Sequence, residues 1–330
     1  MEASLLAPSL TQILEARRRL RPVLPPTPLR MFPGLNRRLR SEVWLKLEAW
    51  QPTGSFKVRG ALTRLAQLTP EERARGVVTA SAGNHGLAVA FAAQTLGGIP
   101  VTVFVPETAA QNKIQALQAF GVDLHRVGRS YAEAHEAALA FAASTGVCYI
   151  HAYEDPWVVA GQGTIALEIL EELPEVDAVL VPVGGGGLIS GIATVYQALA
   201  PKTRIIGVQT EASPALAASL RDGRLYADYP AGPTLADGLA GGVGALAYHL
   251  ACQGAIHEVT VVREETVLRA IGLLAVEVHL IAEGSGAVAL AALLEDPDRW
   301  AGRRAVLILS GGNLDGEILE RAVADFLHKP

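Results

Sequence analysis

Cysteine is nearly absent: Cys148 and Cys252 are the only two in 330 residues, and they lie far apart. No paired-cysteine spacing exists, so neither a thiolate metal cluster, a dithiol redox motif nor a disulfide framework is expected. An excess of positive charge is also missing. The net charge is −5, which argues against a general nucleic-acid binder. The one dense basic cluster, Arg17, Arg18, Arg19 and Arg21, reads as the solvated face of an amphipathic helix. Half the residues are hydrophobic, yet breakers interrupt every long apolar run, so no spanning helix is expected. The N-terminus lacks a charged segment followed by an apolar core, and no repeat of domain-building length is visible. These absences lead to the expectation of a cytoplasmic protein that engages neither nucleic acid nor membrane.

What is present is an alternation of short apolar strands and helical segments. Residues 9–20 read as a helix, followed by a proline-rich loop from Pro22 to Pro28. Glu42 to Glu48 alternates like a strand leading to a turn at Pro52 and Gly54, and a helix then runs from Lys57 to near Pro70. From Gly76 the pattern is strand and helix in turn: strands at 77–79, 101–105 and 122–127, helices at 87–96, 112–120 and 131–145. Strands are expected again at 148–150, 178–183, 204–208, 259–262 and 304–309, with helices at 161–173, 188–199, 264–280 and 286–294. This is an α/β chain, read as two doubly wound domains with mostly parallel sheets. Residues 76–147 form a small domain inserted in a larger one built from 1–75 and 148–330.

Four stretches carry chemistry. Lys57 follows Phe56 at the mouth of a helix, where poor solvation and the positive end of the dipole both disfavour the ammonium form. An amine that is readily neutral can attack an aldehyde and hold it as a Schiff base. Thr53 or Ser55 is expected to cap that helix. Gly184, Gly185, Gly186 and Gly187 stand between a buried strand and a helix, and present bare N–H groups to a phosphate. Their spacing fits neither a dinucleotide fingerprint nor a P-loop, so the phosphate belongs to something other than a nucleotide. Ser81-Ala82-Gly83-Asn84-His85-Gly86 also joins a strand to a helix; its amides and Ser81 could hold a carboxylate, and Asn84 a ring oxygen. Ser310-Gly311-Gly312-Asn313 ends the last strand, with Ser310 directed at the cleft. Glu283-Gly284-Ser285-Gly286 opens a helix that could reach the same place, although an acidic residue there is common for helix-dipole reasons alone.

An aldehyde-binding lysine, a glycine phosphate cradle and a serine near a ring nitrogen together suggest pyridoxal 5′-phosphate. On Gln51 to Ala61, Thr79 to Gly86, Gly161 to Glu168, Gly184 to Gly187 and Ser310 to Asn313, taken in order, the chain resembles the serine/threonine dehydratase family of fold-type II pyridoxal-phosphate enzymes. The resemblance implies a tryptophan synthase β-like fold. It implies that Lys57 carries the cofactor, Phe56 lines its ring, Asn84 meets the ring hydroxyl, Gly184 to Gly187 hold the phosphate and Ser310 bonds the pyridine nitrogen. Ser81, Ala82, Gly83, Asn84 and His85 would surround an amino-acid substrate. The implied reaction is dehydration and deamination of L-threonine, and of L-serine, to 2-oxobutyrate or pyruvate plus ammonia.

Two features narrow that implication. The related serine racemases carry a serine as second acid/base where this chain has Ala82, so racemase or serine dehydratase is the alternative. The sequence runs only a short way past Asn313, so the regulatory domain of feedback-controlled threonine dehydratases is not expected. Racemase-like members also bind a divalent cation through acidic residues where Gln209 and Ala215 stand, so no metal is expected. A homodimer or homotetramer is the expected assembly.

Overall fold

The computed structural model describes residues 7–328. Its strands are β1 (Leu29–Met31), β2 (Glu42–Leu47), β3 (Val77–Ala80), β4 (Val101–Val105), β5 (Asp123–Arg126), β6 (Cys148–Tyr149), β7 (Ala178–Pro182), β8 (Arg204–Thr210), β9 (Glu258–Val262) and β10 (Arg304–Leu309). They form a six-stranded sheet in the order β1-β2-β10-β7-β8-β9 and a four-stranded sheet in the order β5-β4-β3-β6. Every pairing between these strands is parallel except that of β1 with β2. The mostly parallel α/β architecture read from the sequence is the one observed.

The apolar runs follow from burial on both faces. In β10, Ala305, Leu307 and Leu309 pack on one side of the large sheet, among residues of the helices Glu264–Leu273 and Gly284–Glu295. Val306 and Ile308 pack on the other, against the helices Leu10–Leu20, Pro156–Glu172 and Gly187–Leu199. The smaller sheet divides its side chains the same way: Val77, Val101 and Val103 on one face, Val78, Ala80 and Phe104 on the other. Strand β6 hydrogen-bonds to β3, so the smaller sheet takes Cys148 and Tyr149.

Local chemistry sets several helix ends. Ser9 and Gln12 form a capping box at the first helix, whose Arg17 pairs with Glu171 of the Pro156–Glu172 helix rather than standing free in solvent. Asp155 caps that long helix through Trp157 N at 2.8 Å and Val158 N at 3.2 Å. The helix begun by Lys57 stops at Leu65, earlier than expected, because Thr69 and Glu72 cap a separate helix, Pro70–Arg75. The helix expected over 264–280 keeps α geometry only to Leu273. It widens to a π-turn at Leu274–Val278 and ends at His279, whose φ of 59° is left-handed.

Strands β2, β3, β7 and β10 deliver their carboxyl ends to one region. Leu309 is paired with Leu47, so β10 and β2 end side by side, with β7 beyond β10. The lysine, glycine and serine stretches therefore all leave the large sheet at the same edge, where ligands of open α/β sheets bind.

Candidate active site

The lysine turn and the serine turn are knitted together by backbone. Phe56 N donates to Ser310 O at 3.0 Å and Gly312 N to Gly54 O at 2.9 Å, and Ser55 bridges Gly311. Asn313 Nδ2 donates to Thr53 O at 2.9 Å. This bridging, not a side-chain cap, fixes the entrance to the lysine helix. Phe56 occupies the cap position with no side-chain hydrogen bond, and the hydroxyls of Thr53 and Ser55 are buried without a partner. The expected capping role of Thr53 or Ser55 is thus corrected, and both hydroxyls are left unpaired.

Lys57 Nζ donates to Ala152 O at 3.3 Å and lies 5.2 Å from the centre of the Phe56 ring. Burial pushes its pKa down to about 8, against the opposing pull of the Glu283 carboxylate. A substantial neutral fraction near physiological pH is what a nucleophilic amine requires. The next residue after its acceptor, Tyr153, lies on the glycine quartet. A Cβ on Gly185 would stand 2.3 Å from the Tyr153 ring, and one on Gly187 would stand 2.8 Å from Tyr153 Cα. A single short segment thus touches both the amine and the cradle. Gly186 has a φ of +89°, and its Cβ would meet Ala247 at 2.3 Å. The quartet's N–H groups donate to no protein acceptor among the described residues. Unpaired amides at a helix N-terminus match a phosphate.

Ser81 to His85 enter from the smaller sheet. Gly83 N donates to Ser81 Oγ at 3.2 Å, and the helix begins at Asn84, inside the loop rather than after it. Asn84 Nδ2 donates to Glu283 Oε1 at 2.8 Å, and Asn84 Oδ1 accepts from Asn313 Nδ2 at 2.7 Å. This links the loop to the opposite side of the cleft. Ala82 is half-buried against the core of the smaller sheet. His85 is buried, with Nε2 at 3.0 Å from Ile150 O. Burial, aided by the nearby Lys57 charge, lowers its pKa to about 3. Its ring is therefore neutral and turned to the protein, which leaves its backbone amide as its means of meeting a carboxylate. Ser310 Oγ, also buried, donates to Ser285 O at 3.2 Å, so its lone pairs and its exchangeable proton lie at the end of β10.

Glu283 is the site residue that the sequence offered only as a common helix-opening acid. Its carboxyl is buried, receives Asn84 Nδ2, and stands where a Cβ on Gly311 would be 2.4 Å away. Burial raises its pKa to about 7, helped by the nearby Asp237 and opposed by the Asn84 hydrogen bond. Its position on the helix was legible; its burial was not. Gln209, where the resemblance would place an acidic metal ligand, is occupied otherwise: Oε1 caps the helix Ala215–Asp222 through Leu216 N and Ala217 N, and Nε2 donates to Val183 O.

The unpaired glycine amides, the orphan hydroxyls and the partly neutral amine fit a phosphorylated aldehyde. Comparisons with known proteins agree. The model of the pyridoxal-phosphate dependent enzyme family matches residues 20–311. An L-threonine ammonia-lyase of Thermotoga maritima is 44% identical over 317 residues, covering 96% of this chain and 78% of that protein. Among solved structures, the threonine deaminase of T.th. superposes with a TM-score of 0.87 at 38% identity, covering 93% of this chain and 99% of that one. Maize serine racemase does so with a TM-score of 0.90 at 31% identity, covering 98% and 99%.

Proposed function

The chain belongs to the pyridoxal-phosphate dependent enzyme family, and from that premise we propose that its cleft dehydrates and deaminates L-threonine, and L-serine with it, to the 2-oxo acid and ammonia. One observation carries the reading. The amine of Lys57 meets Ala152, and Gly185 and Gly187 of the quartet, whose amides are free, pack on the adjoining Tyr153, at the strand ends that also bear Ser310. Pyridoxal 5′-phosphate, when bound, supplies the electron sink for the charge left at the substrate's α-carbon. Lys57 holds the cofactor and moves the α-proton at Nζ, a role that typically contributes ~10²–10⁴-fold to rate. Phe56 lines the ring, Asn84 meets its hydroxyl and Ser310 faces its nitrogen. The amides from Ala82 to His85, with Ser81, take the substrate carboxylate at the N-terminus of their helix. The neutral Ser310 hydroxyl leaves the ring nitrogen without a charged partner, which suits prompt loss of the β-hydroxyl.

Serine racemisation is the second reading, favoured by the likeness to the maize enzyme. It needs proton donors on both faces of the cofactor, and the methyl group of Ala82 supplies none. The domain division follows the same premise: residues 1–75 and 148–330 build the cofactor domain and 76–147 the inserted one, except that β6 at the junction pairs into the inserted sheet. A homodimer or homotetramer in the cytoplasm completes the proposal. No helix of the described residues is long and apolar enough to cross a membrane; light scattering of the purified protein reads the assembly.

The test is a keto-acid assay on threonine and serine side by side, with and without pyridoxal 5′-phosphate, paired with chiral analysis of the recovered serine. Lys57→Ala is expected to lose at least ~10²-fold in turnover. Wild-type rates in that variant, or D-serine as the main product, would sink the assignment.

A further inference from the structure

Beneath the lysine helix lies a cluster of charges that the proposed chemistry does not use. The side chains of Lys46, Glu48, Arg59 and Glu168 are exposed by 0%, 0%, 2% and 8%. Arg59 Nε and Nη2 donate to the two oxygens of Glu48, each at 2.8 Å. Its Nη1 and Nη2 donate to the two oxygens of Glu168 at 2.6 and 2.8 Å. Lys46 Nζ donates to Glu168 Oε2 and to Thr27 O, both at 2.6 Å. Thr27 Oγ1 closes the cluster on Glu48 Oε1 at 2.5 Å. Burial alone would drive Arg59 toward neutrality; Glu48 and Glu168 more than reverse it.

Two cations against two carboxylates make the cluster neutral, yet such ionic cores seldom stabilise a fold better than apolar side chains of the same volume. What a doubly forked guanidinium does supply is fixed geometry. Arg59 stands two residues after Lys57 on the same helix, Glu48 lies on the approach to it, and Glu168 lies on the helix that crosses it. At that crossing a Cβ on Gly161 would stand 2.5 Å from Arg59 O, so the two backbones touch. Backbone bonds to the serine turn hold the entrance of the lysine helix, but its first turn has no side-chain cap, so contacts further along share in setting its rotation.

We propose that Arg59, clamped between Glu48 and Glu168, is a positioning residue that fixes the rotation of the lysine helix and thereby the aim of the Lys57 amine into the cleft. The inference rests on Lys57 being the cofactor lysine, and the experiment separates the two. Wild-type protein is mixed with pyridoxal 5′-phosphate, trapped with borohydride at timed intervals and mapped by mass spectrometry. Label absent from Lys57 in the wild type overturns the cofactor reading and the proposal with it. With Lys57 labelled, Arg59→Lys keeps the charge but loses both forks. It is expected to fold, to label Lys57 about 10- to 100-fold more slowly and to lose kcat in proportion, while KM moves little, as misplacement of a reacting group by about an ångström does. Lys46→Met breaks one ion pair of the same cluster but leaves both forks. It is expected to melt at a lower temperature and to label at nearly the wild-type rate. Wild-type labelling in Arg59→Lys, or equal slowing in both variants, overturns the positioning role. Should Arg59→Lys not fold, Glu168→Gln weakens one fork while keeping the side-chain shape, and is read against the same two outcomes.

Discussion

Glu283 shows how far a single residue departs from its sequence signal. An acidic residue at the start of a helix is ordinarily a solvated partner of the helix dipole, but here the carboxyl is buried beside Asn84 and its pKa rises to about 7. The consequence for stability has a definite sign. The folded state binds this proton more tightly than the unfolded chain, whose carboxyl titrates at 4.5. The stabilising contribution is therefore present below that value and is lost as pH rises through about 7. Glu283→Gln should flatten the decline of stability across that window and raise the melting temperature at pH 8 relative to wild type, read by thermal denaturation at pH 5 and pH 8. The same variant removes the carboxylate that pulls the Lys57 pKa upward. The pH midpoint for Lys57 labelling by an aldehyde in cofactor-free protein should then fall below the wild-type value of about 8. A midpoint that stayed put or rose would contradict the placement of Glu283 beside the amine.

At the scale of elements, the glycine quartet was legible because a run of four glycines between a buried strand and a helix has few other uses. Its packing was not, because Tyr153 and Ala247 arrive from distant stretches. Gly185→Ala forces its Cβ to within 2.3 Å of the Tyr153 ring, and overpacking of this kind costs about 1–3 kcal/mol. Since Tyr153 follows the residue that holds Lys57, the strain should appear as weaker cofactor retention, measured by absorbance after gel filtration; retention equal to wild type would refute it. The same limit explains other differences between pattern and structure. Strand β2 was recognisable from alternation, yet the alternation gave no sign that Lys46 is fully buried. Its partner Glu168 lies on a helix that the sequence places far away. Three-residue β1 is too short to leave a period at all, and the Thr53 and Ser55 caps failed because backbone bridging to residues 310–312 took their place.

For the whole molecule the question is what joins the two sheets across the cleft. Lys113, on the helix Gln111–Gln118 beside the smaller sheet, pairs with Asp237 of the larger unit, and Asn84 spans the same gap to Glu283 and Asn313. The two links differ in kind. Lys113 and Asp237 are 40% and 62% exposed, and an ion pair so solvated contributes at most ~1 kcal/mol and is screened by salt. The Asn84 bond to Glu283 is part-buried and ends on the site itself. Removing the outer link should therefore leave stability almost unchanged and act on how readily the two units meet around a substrate. Lys113→Ala is expected to melt within a few degrees of wild type and to raise KM for threonine a few-fold with kcat nearly intact. Raised salt should move the wild-type KM toward that of the variant. Asn84→Ala removes contacts made by the reacting region and should lower kcat as well. If both variants changed only kcat, the surface pair would have no part in bringing the two halves together, and the cleft would be a rigid one.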